Sequence, residues 1–139
     1  MPDFQLPNQN GEIVSSSSFR GKPVVIYFYP KDDTPGCTAE ACSFRDSYED
    51  FTDAGAEVVG ISADSPASHA AFAKKHRLPF VLLSDVGNKV RRQFGVPKSF
   101  LGLLPGRVTY IFDKNGVCQR VFDSQLNAKK HVAEAKAYL

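Results

Sequence analysis

Cysteine is scarce and odd in number, three thiols in 139 residues, and only Cys37 and Cys42 lie near one another. That count excludes a disulfide framework. It points to a reducing compartment in which any disulfide is transient and catalytic. Ligand pairs at zinc spacing are missing as well. Structural zinc sites place paired ligands two to four residues apart and repeat the pair, whereas Cys118, His69, His76 and His131 stand singly, so no metal is expected. No apolar run approaches the roughly 18–20 residues that a membrane helix requires, and stable membrane insertion is not expected. The start, Met1-Pro2-Asp3-Phe4, has neither a basic n-region nor an apolar h-region, so no signal peptide is expected. A formal net charge of +2 offers nucleic acid or an anionic membrane little attraction. Repeats and linker-like stretches are lacking too.

What is present reads as one α/β domain over residues 1–139. A hydrophobic content of 42% with 23% charged residues is ordinary for a globular chain long enough to bury a core. Phe4 to Leu6 and Ile13-Val14, separated by Asn8-Gln9-Asn10-Gly11, predict an N-terminal hairpin, because Asn-Gly tolerates positive φ. Val24 to Tyr29 is apolar throughout, as a central strand covered on both faces should be. Ala41, Phe44, Tyr48 and Phe51 follow at helical spacing, ending near Gly55. Glu57 to Ser62 is a second buried strand, so the unit is βαβ with parallel pairing. Ser65-Pro66 opens a helix to about Arg77, and Phe80 to Leu83 is a further strand. A helical turn with Val90 and Phe94 precedes a loop, Gly95 to Gly106, carrying Phe100, Leu101, Leu103 and Leu104. Val108 to Phe112 and Val117 to Phe122 form a hairpin across Asp113-Lys114-Asn115-Gly116. Asn127 to Tyr138 is the last helix, with Val132, Ala135 and Leu139 facing the sheet.

Between the first central strand and its helix lies Tyr29-Pro30-Lys31-Asp32-Asp33-Thr34-Pro35-Gly36-Cys37. Thr34 fits an N-cap and Pro35 the first helical position, which puts Cys37 in the first turn. A free thiol, with pKa about 8.5, reacts only as its thiolate, and helix N-termini favour negative charge. Asp32, Asp33 and Glu40 work against it, so a basic residue from elsewhere is needed. Arg107, just before a strand, is the best candidate and Arg45 the other. Read alone, Thr34 is a cap, Pro30 a strand end or a shield for the thiolate, and Arg107 a solvated charge. On an intact helix Cys37 and Cys42 are separated by about 7.5 Å of rise and roughly 140° of rotation. Their Cα atoms then lie about 8–9 Å apart, beyond the roughly 4.4–6.8 Å that a disulfide tolerates. Pairing would require the helix to unwind; otherwise Cys42 is an inert buried thiol.

These residues are familiar together. Pro30, Thr34 and Cys37 reproduce the Pro-x-x-x-Thr-x-x-Cys motif of peroxiredoxins. The stretch Tyr27 through Thr38, with Glu40-Ala41-Cys42, resembles the bacterioferritin-comigratory or peroxiredoxin Q subfamily, in its plant and cyanobacterial form. Leu104-Pro105-Gly106-Arg107 with Thr109-Tyr110 resembles that family's arginine segment. The resemblance implies a thioredoxin fold with an N-terminal β-hairpin extension and a central mixed sheet flanked by helices, usually as a monomer. It implies that Cys37 attacks a peroxide and becomes a sulfenic acid, with Thr34 and Arg107 holding the substrate. Cys42 would resolve it as a disulfide that thioredoxin or a similar donor reduces, without a cofactor, and Cys118 would be incidental. The plant-like features imply a chloroplast, or otherwise a cyanobacterial or bacterial cytoplasm. Two other readings stand beside it: a peroxide sensor passing its disulfide to partner proteins, and a dithiol–disulfide oxidoreductase, although the latter uses Cys-x-x-Cys.

Overall fold

The computed structural model describes residues 1–96, 98–99, 104–125 and 127–138. The chain opens with two antiparallel strands, β1 (Gln5–Pro7) and β2 (Ile13–Ser15). Their turn forms as the Asn-Gly signal predicts. Gly11 sits at φ +79°, and the Asn8 side chain accepts from the N–H groups of Asn10 and Glu12. Gln9 then bonds across to Phe80 and Leu82, so this hairpin covers an edge of the main sheet that would otherwise present unpaired amides.

The main sheet is built from β3 (Val24–Phe28), β4 (Glu57–Ser62), β5 (Val81–Ser84), β8 (Val108–Phe112) and β9 (Cys118–Asp123) in the order β5-β4-β3-β8-β9. β3 is parallel to β4 and antiparallel to β8, and it lies at the centre. Its side chains alternate between two cores: Val25 and Tyr27 face one, Val24, Ile26 and Phe28 the other. The first core takes in residues of α1 (Pro35–Asp46), α2 (Tyr48–Asp53), α3 (Pro66–His76) and α5 (Ala128–Ala137). The second is closed by the N-terminal hairpin, a short 3-10 turn (Ser16–Phe19) and α4 (Lys89–Phe94). This mixed sheet between helices, with a hairpin added in front, is the thioredoxin fold that the resemblance implied. Gly60 of β4 matters to it, since a Cβ there would meet the Tyr27 ring at 2.8 Å. Bare backbone leaves room for Tyr27 to stack on Phe44 of α1, 4.6 Å between centroids.

Several elements differ from expectation, most of them by one residue at an end. The helix predicted to run to Gly55 is two helices, because Ser47 leaves helical geometry at φ −102°, ψ 4°; serine bonds its own backbone readily and favours helix ends. Phe51 still reaches the core and meets Phe44 at 5.8 Å. The third strand begins at Val81 rather than Phe80. Within the expected loop before Arg107, β6 (Lys98–Ser99) and β7 (Leu104–Pro105) pair antiparallel. The apolar group Phe100, Leu101 and Leu103 and the expected contact of Leu139 lie outside the described residues.

Candidate active site

Register brings the site together. Phe28, the last residue of β3, pairs with Val108, the first of β8. Antiparallel pairing therefore sets Arg107 beside the chain that leaves β3 through Tyr29 and Pro30. That chain enters α1 at Pro35, with Cys37 in its first turn, 1% exposed. Arg107 Nη2 donates to Cys37 Sγ at 3.2 Å, Nη1 to Glu40 Oε1 at 2.6 Å, and Nε to the Gln125 carbonyl at 3.2 Å. A donor with a fixed charge at the sulfur stabilises negative charge that develops there during reaction, and it adds to the field of the helix N-terminus. Gly36 makes the approach possible: a Cβ there would lie 3.0 Å from Arg107 Nη2. Burial works against the Arg107 charge, but Glu40 and Cys37 outweigh it and hold its pKa above the ordinary value.

Arg45, the other cation considered, is elsewhere; it bonds the His76 carbonyl and Asp46. Thr34 occupies the N-cap position, yet its hydroxyl donates to the Lys31 carbonyl at 2.9 Å and makes no side-chain capping bond among the described residues. Pro30 and Thr34 are partly exposed. Cys42 lies further along the same unbroken helix and is partly buried; it and the buried Cys37 are unpaired. Cys118 is exposed on β9 opposite Phe112, the end of the hairpin away from Arg107.

The acidic residues that seemed to oppose a thiolate are neutralised one by one. Asp33 is exposed and pairs with Lys75, which holds its carboxyl below the usual range. Asp32 is buried and accepts from Tyr29 Oη at 2.6 Å, Ser68 Oγ at 2.9 Å and His69 Nδ1 at 2.7 Å. Its N–H donates to Asp64, and His69 Nε2 lies 3.0 Å from the Leu83 carbonyl oxygen. The loop ahead of Cys37 is thereby pinned to α3 and β5. Asp32, Asp64 and His69 offer ligand atoms within 4.8 Å of one another, but these groups are already spent on the bonds just named and on Ser62.

Glu40 is fully buried, and burial lifts its carboxyl to about 8 despite the opposing pull of Arg107. Around neutrality it is mostly protonated, which leaves the guanidinium charge to Cys37. Beyond it His131 donates from Nε2 to the Ser124 carbonyl at 2.7 Å and accepts at Nδ1 from Thr109 Oγ1 at 2.7 Å. Burial lowers its pKa to about 4, so it is neutral. Sequence reading missed His131 and took Glu40 only as a repulsive charge. The available signal was position: Glu40 sits beside Ala41 on the stripe that continues through Phe44.

The two shifts carry opposite signs. From about 4.5 to 6.5 the folded chain holds a proton on Glu40 that the unfolded chain has lost, while the unfolded chain holds one on His131 that the folded chain excludes. Their effects on stability cancel there. Between about 6.5 and 8 only Glu40 remains, and stability falls as pH rises, by about 2 kcal/mol for the roughly 1.5 units. Urea unfolding of Glu40→Gln should show no such fall in that window; a fall equal to that of the parent chain would rule the assignment out.

A family model described as the AhpC/TSA family matches residues 1–121. Over 138 residues the chain is 59% identical to "Peroxiredoxin Q, chloroplastic" of Gentiana triflora, covering 99% of this chain but 64% of that relative, so it spans less than two thirds of the relative's length. Among solved structures it resembles peroxidoxin BcpB of Mycobacterium tuberculosis, with 39% identity, a TM-score of 0.89, and 99% and 91% of the two chains covered. It also resembles the bacterioferritin comigratory protein of Xanthomonas campestris, at 31% identity, a TM-score of 0.85, and 97% and 91% coverage. The structures of that protein bear on its alkyl peroxide reduction activity and include a trapped intermediate and ligand complex. With the family match over most of the chain, a relative near 60% identity and the same fold in the solved structures, this chain belongs to the AhpC/TSA family, in its peroxiredoxin Q branch.

Proposed function

We propose that the chain is a thiol-dependent peroxidase that reduces hydrogen peroxide and alkyl hydroperoxides. The observation that carries this reading is the bond from Arg107 Nη2 to the buried Cys37 sulfur in the first turn of α1. The Cys37 thiolate attacks the terminal oxygen of the peroxide. The O–O bond breaks, the HO fragment stays on sulfur as a sulfenic acid, and the departing alkoxide or hydroxide takes up a proton. Arg107 shares its N–H groups between the sulfur and the oxygens as charge moves toward the leaving group, and Thr34, with Pro30 shielding the mouth, holds the substrate. Cys42 then attacks the sulfenic sulfur, water leaves, and the disulfide is reduced by a dithiol such as thioredoxin in a two-electron exchange. The similarity to alkyl-peroxide-reducing and chloroplastic relatives supports this substrate class and a chloroplast setting. The family pattern supports a monomer that needs no added cofactor.

The test is one equivalent of hydrogen peroxide followed by peptide mapping, then steady-state turnover with thioredoxin and a NADPH-coupled reductase. A Cys37–Cys42 disulfide and sustained NADPH oxidation are expected. Oxidation confined to Cys118, or turnover that persists in Cys37→Ser, would sink the assignment.

A further inference from the structure

We propose that Arg91 is a positioning residue for peroxide reduction, clamping the backbone just before Pro30 to the backbone just before Arg107 and so setting the spacing between these two segments. Its side chain comes from α4, on the face of the sheet away from α1, and is 6% exposed. Nη2 donates to the Tyr29 carbonyl at 2.6 Å and Nη1 to the Gly106 carbonyl at 2.5 Å. The guanidinium carbon lies 5.6 Å from the centre of the Phe28 ring. Its root is fixed as well, because Asp85 accepts from the N–H groups of Val90 and Arg91 at the start of α4.

The two carbonyls are the informative part. β3 and β8 stay paired up to Phe28 and Val108, and beyond that pair the chains separate, one toward Pro30 and Cys37 and the other back toward β7. Tyr29 and Gly106 are the residues at which they part. A planar guanidinium reaching both carbonyls from two separate nitrogens holds the gap at one width, which a lysine ammonium, with its three donors on one nitrogen, does not. Burying a cation is costly, and among the described residues Arg91 Nε is buried without a hydrogen-bond partner. Such an orphaned donor is destabilising and is more readily understood at a functional site than in a stabilising contact. The partners of Arg91 also lie outside Cys37 to Cys42. The clamp therefore outlasts any unwinding of α1 and keeps the Arg107 backbone in place for the helix to close on again.

This inference rests on the peroxidase reading, and the experiment separates the two. The parent chain is measured first, and a parent that does not reduce peroxide fails on the reading itself. Arg91→Lys, which keeps the charge and loses the bridge, is then compared with it in two reactions of Cys37. Iodoacetamide needs the thiolate but no ordered pocket, whereas hydrogen peroxide needs both. Misplacement of reacting groups by about 1 Å costs as much as a hundredfold, and the smaller shift expected here should slow peroxide about tenfold while alkylation changes less than twofold. Equal losses in both reactions, or an unchanged peroxide rate, would overturn the proposal. So would an Arg91→Lys chain that does not fold, since the residue would then serve stability alone.

Discussion

Arg107→Met is expected to slow the reaction of Cys37 with hydrogen peroxide about a thousandfold, by stopped-flow measurement on the reduced protein. One guanidinium makes three bonds here, to the sulfur, to Glu40 and to the Gln125 carbonyl. Loss of one donor to developing charge costs about a hundredfold to a thousandfold in other enzymes, and in this site the same loss also leaves Cys37 without its cation. Arg107→Lys should recover little, because an ammonium does not span Cys37 and Glu40 at once. Stability should fall by less, because Glu40 is already mostly protonated near neutrality and what is lost is a donor to the buried Glu40 Oε1 and to the Gln125 carbonyl. Glu40→Gln added to Arg107→Met should restore none of the rate. A rate within tenfold of the parent chain would remove Arg107 from the reaction.

Much of this was readable from residues whose constraints are local. An unbroken apolar run marks a strand covered on both faces, Asn-Gly closes a hairpin, and Ser65-Pro66 starts a helix whose serine accepts from the Ser68 N–H. The place of Cys37 followed from Thr34 and Pro35 by the same logic. Arg107 could be nominated from its position before a strand, but its bond to the sulfur depends on the register of β8 against β3, which no local pattern specifies. Arg91 was invisible for the same reason: in sequence it is one basic residue of a helical turn, and only the topology carries it beneath the strand ends. Glu40 was misread in sign. A carboxylate next to a thiolate does oppose it, but full burial keeps this one largely protonated, and that depends on a neighbouring helix, α5, that begins more than eighty residues later. Thr34 shows the reverse case, with its position legible and its hydroxyl spent on Lys31 instead of on the cap.

Cys42→Ser is expected to consume one equivalent of peroxide at the parent rate and then stop, with steady-state turnover through thioredoxin reduced more than a thousandfold. In excess peroxide its Cys37 should proceed to sulfinic acid, the next step of oxidation when no second thiol intervenes. The parent chain escapes that fate only if Cys37 and Cys42 meet, and on the intact α1 they do not, their Cα atoms being about 8–9 Å apart on an ideal helix. The stretch from Cys37 to Cys42 carries no large apolar anchor. The large apolar anchor of α1, Phe44, lies beyond Cys42 and is stacked on Tyr27. Within Cys37 to Cys42 the buried residues are Cys37, Glu40 and Ala41, and two of these are held by Arg107. Oxidation to a sulfenic acid removes the thiolate charge that the guanidinium engages, and unwinding returns Glu40 to water, where its carboxylate is stable. Oxidised parent protein should therefore lose about two turns of helix by far-UV circular dichroism and lose amide protection across 37–42, while Phe44 onward stays protected. Cys42→Ser treated with one equivalent of peroxide should keep much more of its helical signal. Sustained turnover by that variant, or an oxidised parent chain with its helical signal unchanged, would mean that Cys37 is resolved by some thiol other than Cys42.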